Sequence, residues 1–206
     1  SGDFVVGSAG ADYLVDDGIL AGVMVQVDSL TLDGPGSTQV SGTGFLAGPY
    51  LTMELADGVY LDMMALAGTS TNKVSPFGTY TDTFAGFRYL VDATLQGQWD
   101  SGPWTFSPAA SVTYFSETTE SFTDSMGVTI LEVTVAKGRA SAGPGVSLRS
   151  DFDGIAVDTG LRLDGVIDLS HDASSGFRAS DPRLRVEGSV GVSLPGGAGL
   201  DLSLAY

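Results

Sequence analysis

The sequence predicts an all-β chain, an antiparallel up-and-down transmembrane β-barrel with about ten strands present of an expected twelve. Three observations predict it. Apolar and polar residues alternate with period two over long runs, short turns and long loops alternate between those runs, and the charges keep to one parity of each run.

The period of two marks ten runs, roughly 4–15, 19–32, 39–55, 59–70, 83–99, 104–117, 134–149, 155–169, 183–194 and 199–206. Most are longer than the usual strand of about five or six residues, and they reach the ~9–11 residues that a tilted strand needs to cross a bilayer. Glycine supplies 29 of 206 residues, about twice its ordinary share of ~7%, and glycine weakens helices. The best apolar stretches, such as Met63-Met64-Ala65-Leu66-Ala67, fall far short of the ~20 residues of a membrane helix. Any crossing is therefore made by strands.

The connections alternate in length. Asp16-Asp17-Gly18, Ala56-Asp57-Gly58, Ser101-Gly102-Pro103, Asp151-Phe152-Asp153-Gly154 and Pro195-Gly196-Gly197-Ala198 are built from turn-forming residues. Longer polar loops lie near 33–38, 71–82, 118–133 and 170–182. Short turns at one end and long loops at the other describe a barrel with periplasmic turns and extracellular loops. Pro49, Pro108 and Pro144 fall inside predicted strands, where proline removes a ladder hydrogen bond, so they are expected to mark bulges or strand starts.

Charge placement is the sharpest test. In 83–99, Phe87, Tyr89, Val91 and Leu95 take one parity and Arg88, Asp92 and Gln96 the other. In 155–169, Val157, Leu161, Leu163 and Ile167 oppose Asp158, Arg162, Asp164 and Asp168, and in 183–194 Leu184, Val186 and Val190 oppose Arg183, Arg185 and Glu187. Glu54, Asp62, Lys137, Arg139 and Asp201 also take the polar parity. A basic residue at mid-bilayer on the lipid face costs ~2–4 kcal/mol, which accounts for the pattern. The expected lumen-lining set is Asp62, Arg88, Asp92, Arg139, Asp158, Arg162, Asp164, Asp168, Arg183, Arg185 and Glu187, with Arg162, Arg183 and Arg185 pairing with Asp158, Asp164 and Asp168. A soluble β-barrel or sandwich shows the same alternation with its faces exchanged. Two features favour lipid outside. The apolar parity is rich in small residues that fill a core badly, such as Gly7, Ala9 and Ala11, and aromatics such as Tyr13, Tyr50, Tyr60, Trp99, Trp104 and Phe106 gather near strand ends.

Composition excludes other classes. The net charge of −16 and pI of about 4.1 make nucleic acid a poor partner. Cysteine is absent, which removes thiolate chemistry and disulfides. His171, the single histidine, is expected to open a solvated loop, and no metal, nucleotide or cofactor motif occurs. The acids Glu117, Glu120, Asp124 and Glu132 are expected in a solvated loop, and Asn72, the single asparagine, in an extracellular one. No catalytic residue, metal ligand or cofactor is assigned.

The topology also predicts the strand number. The first run ends at a tight turn and the last follows one, which leaves both visible ends on the extracellular side. One further strand at each edge gives an even barrel of twelve, so residues 1–206 are expected to be one incomplete barrel domain.

Local sequence then resembles a known family. Gly10-Ala11-Asp12-Tyr13, Gly48-Pro49-Tyr50 followed by Tyr60-Leu61-Asp62, and Trp104-Thr105-Phe106-Ser107-Pro108 resemble consecutive strands of the autotransporter translocator domain. Ser125-Met126-Gly127, Gly138-Arg139, Gly143-Pro144 and the closing Leu200-Asp201-Leu202-Ser203-Leu204-Ala205-Tyr206 continue in order. The resemblance implies a monomeric barrel in the bacterial outer membrane, bounded by lipid and inserted by the barrel-assembly machinery. It also implies type V secretion, in which the barrel anchors and exports its own N-terminal passenger. Alternative readings are a small porin, an adhesin barrel that presents its loops, or a soluble β-barrel or sandwich that binds a ligand.

Overall fold

Alternation at period two carries directly into the ladder. The computed structural model describes residues 2–34, 37–76, 78–172, 176–194 and 199–206. Strands β1 (Gly2–Asp16), β2 (Ile19–Asp33), β3 (Gln39–Ala56), β4 (Val59–Ser75) and β5 (Asp82–Gly97) form a meander of antiparallel neighbours. After Gln98, β5 continues as β6 (Trp99–Ser101). The next crossing is β7 (Trp104–Phe106) and β8 (Ala109–Thr119), broken at Ser107-Pro108. A small hairpin, β9 (Phe122–Thr123) and β10 (Thr129–Ile130), stands in the following loop. Then come β11 (Val133–Gly143) and β12 (Gly145–Phe152), broken at Pro144, and the unbroken β13 (Ile155–Asp172). The chain continues through β14 (Gly176–Ala179), β15 (Arg183–Ser193) and β16 (Gly199–Ala205).

β13 joins these pieces. One edge pairs with β11 above and β12 below, and the other with β14 and β15. Rejoined at their breaks, the segments make the ten crossings that the periodicity predicts. Among the described residues β1 and β16 are the sheet edges and do not pair with each other. No described helix is long and apolar enough to cross a membrane.

The turns follow their residues. Gly18 and Gly58 have φ of +83° and +70°, and the register slips beside each, between Leu14 and Asp16 and between Glu54 and Ala56. That is a turn closed by a glycine bulge. Asp153 and Gly154 both have positive φ, the signature of a tight hairpin turn that matches strand twist. The turn at 195–198 lies outside the described residues.

Five expectations change. Tyr50 and Tyr60 lie on the face of Asp12 and Asp62, not on the apolar face with Tyr13, Trp99, Trp104 and Phe106. β4 runs on to Ser75, so Asn72 sits in a strand and not in an extracellular loop. Its backbone pairs with Gly42 and Phe84, and its side chain donates to Ser70 and Glu117. Glu117 belongs to β8, not to the acidic loop. His171 lies within β13, its backbone opposite Ala136, because the ladder extends beyond the apolar run. Pro108 and Pro144 do break their strands, whereas Pro49 stays within β3. Pro49 has no N–H to give to β4. Beside it Gly48 leans so close that an added Cβ would overlap the Ala65 carbonyl oxygen. Gly143, before Pro144, leans on the Leu163 carbonyl in the same way. Each Gly-Pro pair thus brings bare backbone against an acceptor that the proline leaves without its usual donor.

Register fixes two faces. Asp12, Gly22, Tyr50, Met64, Asp92, Thr113, Arg139 and Asp168 form one continuous row across eight crossings. On their face Arg88 is 8% exposed and Asp164 5%, alongside buried Leu46 and Leu66. On the other face Val23 is 64% exposed, and Val25, Val27, Phe87, Val91, Leu161 and Leu163 are exposed too. Aliphatic side chains outside and charges inside reverse the arrangement of a water-soluble domain.

Candidate functional site

The site is the charged face, and its geometry begins with glycine. Gly44 lies in the path between β5 and β2, and a Cβ there would overlap both Arg88 Nη1 and Asp28 Oδ2. With no side chain in the way, Arg88 lies flat across the wall and donates from Nη1 to both Asp28 oxygens at 2.8 Å. Its Nε is 3.0 Å from Glu117 Oε2, an ion pair off the line of a hydrogen bond. Glu117 Oε1 also accepts from Ser70 Oγ at 2.6 Å and Asn72 Nδ2 at 3.0 Å. One cluster therefore ties β2, β4, β5 and β8. Lower on the same face, Tyr50 crosses bare Gly22 so that its hydroxyl donates to Asp12.

All eleven residues expected to line a lumen share this face, and each has a partner. Asp62 accepts from Thr52 Oγ1 at 2.6 Å and Gln96 Nε2 at 3.2 Å, and Asp92 from Thr113 Oγ1 at 2.5 Å. Asp168 is shared by Arg139 at 2.7 Å and Arg183 at 2.6 Å, which links β11, β13 and β15. Arg162 and Asp164 pair within β13 at 3.1 Å, and Arg185 and Glu187 within β15 at 2.7 Å. Of the pairings expected between adjacent strands, Arg183 with Asp168 forms, whereas Arg162 takes Asp164 on its own strand. Arg185 turns to Glu187, two residues along its own strand. Asp158 has Arg149 of β12 at 3.8 Å.

Sequence reasoning passed over Asp12, Asp28 and Arg149 as members of this face and placed Glu117 and Asn72 in loops. For Glu117 the signal was present: it continues the parity of Ser111 and Thr113. The glycine floor carried no such signal, because only register shows which side chain lies over which glycine.

The arrangement holds charges of both signs in place. Among the described residues no group of three His, Asp or Glu side chains is placed to hold a metal ion. A sheet with an apolar exposed face, a charged opposite face and turns and loops at opposite ends is the wall of an outer-membrane β-barrel.

The family is more specific. The chain belongs to the autotransporter β-domain family, which it matches over residues 1–206. It is an outer-membrane translocator barrel of type V secretion, linked as such to a passenger. The family is one of translocator barrels and not of enzymes. No curated protein matches the sequence. Among solved structures, the β domain of the Bordetella autotransporter BrkA superposes with a TM-score of 0.72 at 16% identity, covering 100% of this chain and 83% of that one. The transport unit of AIDA-I from Escherichia coli gives 0.64 at 12% identity, with 100% and 76% covered. The translocator domain of NalP from Neisseria meningitidis gives 0.61 at 12% identity, with 100% and 74% covered. At these identities the likeness is one of fold.

Proposed function

We propose that this domain closes as a monomeric barrel of twelve strands, one more at each edge, and passes its own N-terminal passenger through a lumen lined by the charged face. The observation that carries this reading is the sharing of one face by Asp62, Arg88, Asp92, Arg139, Asp158, Arg162, Asp164, Asp168, Arg183, Arg185 and Glu187. Held side chains of both signs hydrate a pore without obstructing it. The free edges of β1 and β16 are where the two further strands add. Long unpaired edges invite aggregation, so the barrel-assembly machinery receives the chain before it closes. The domain carries out no catalysis of its own in this reading.

The test uses the full-length protein in outer membranes. Externally added protease should digest the passenger on intact cells when residues 1–206 are present, and leave it protected when they are deleted. A passenger exported without them overturns the assignment. In planar bilayers, Arg185→Leu should insert normally and change single-channel conductance; unchanged conductance counts against a lumen position.

A further inference from the structure

Three neighbouring crossings break at one height. β5 gives way to β6 at Gln98, β7 to β8 at Ser107-Pro108, and β11 to β12 at Pro144. The register is continuous across the breaks, pairing Ala109 with Gly143 above and Phe106 with Val146 below, so Pro108 stands directly opposite Pro144. Gly97 N donates to the Pro108 carbonyl at 2.8 Å and Leu163 N to the Pro144 carbonyl at 3.0 Å. In an antiparallel pair of this kind the return bond comes from the opposing N–H, which neither proline has. The ladder is thus short of two donors in one line.

A side chain bridges that line from the charged face. Arg162 of β13 donates from Nη1 to the Ser107 carbonyl at 3.2 Å while its Nε pairs with buried Asp164. Gly145 makes the path: an added Cβ would lie 2.9 Å from the Ser107 carbonyl oxygen and 3.2 Å from Arg162 Nη1. Below the line, Trp99, Trp104 and Phe106 are exposed on the apolar face, at the height where a barrel meets the aqueous interface.

We propose that the proline line is a hinge, that the β6–β7 hairpin forms a flap at the turn-end mouth against β12, which β13 holds along its whole length, and that Arg162 is the positioning residue that latches it. Opening the flap widens the mouth by which an exported segment enters. That consequence for export rests on the translocator reading; the hinge does not.

Hydrogen–deuterium exchange on the full-length protein in membrane vesicles tests the hinge directly. Amides of 99–107 should exchange roughly tenfold faster or more than those of 19–23 and 59–63, which sit as close to a turn but below no break. Equal rates overturn the hinge. Arg162→Lys, which keeps the charge but loses the planar fork, should raise exchange in the flap and leave 110–117 unchanged. A rise throughout the barrel, or none, overturns the latch. Pro108→Val with Pro144→Val restores two donors and should slow both flap exchange and the appearance of passenger at the surface. Slower exchange with export at the normal rate overturns the role in export alone and leaves the hinge standing.

Discussion

Replacing Arg88 by leucine is the most informative single change to the wall. The Arg88 side chain is 10% exposed and those of Asp28 and Glu117 15% and 19%, so the substitution leaves two largely buried carboxylates without their cation. Removing one partner of a buried pair costs about 3–5 kcal/mol. Solvent on the charged face screens part of this, and Ser70 and Asn72 still bond Glu117, which places the expected loss near ~3 kcal/mol, roughly a hundredfold in the unfolding constant. Urea unfolding in lipid vesicles reads it through the fluorescence of Trp99 and Trp104, the two tryptophans of the chain. The triple variant Arg88→Leu, Asp28→Asn, Glu117→Gln should recover more than half of the loss, since it removes the stranded charge. If Arg88→Leu falls within ~0.5 kcal/mol of the parent, or the triple variant is no more stable than the single one, the cluster is not holding these strands.

Further outcomes separate the faces and the glycines. Val91→Arg, on the exposed apolar face of β5, should cost ~2–4 kcal/mol, whereas Thr94→Arg on the charged face of the same strand should cost under ~1 kcal/mol, both read by urea unfolding. Gly143→Ala should cost about 1–3 kcal/mol because its Cβ overlaps the Leu163 carbonyl oxygen. Gly102→Ala meets nothing within 4 Å and is strained only by its φ of +62°, so ~1–2 kcal/mol is expected. A Gly102 loss exceeding the Gly143 loss would refute the steric account.

Most of the fold is legible in the sequence because a barrel wall is a repeated local rule. Period two, enforced on one side by lipid, identifies Val91 and Arg88 as opposite-facing without any knowledge of their neighbours. Turn chemistry is equally local, as Asp153-Gly154 illustrates. What the sequence withholds is non-local. The partners of Arg88 come from β2 and β8, and nothing near residue 88 distinguishes Asp28 from Asp62. Asn72 and His171 fall beyond the apolar runs that mark the strands, where hydrogen bonding to a neighbour and not hydropathy continues the ladder. Prolines 108 and 144 are visible one at a time, but their opposition depends on register.

Arg162 with Asp164, and Arg185 with Glu187, are pairs between residues two apart on one strand, and this bears on how the wall enters the bilayer. A partner on an adjacent strand is available only after that strand has docked; a partner on the same strand travels with it. A lone charged residue costs ~2.5–3.5 kcal/mol at the middle of a bilayer on insertion scales. β13 and β15 therefore carry part of their polar load as preformed zwitterions and can be threaded inward before the surrounding wall is complete. Asp168 is the exception, because its cations Arg139 and Arg183 come from β11 and β15. Its first cation arrives when two strands have met and its second when all three have, so in a chain assembling by stages its full set of partners reports the completion of that junction.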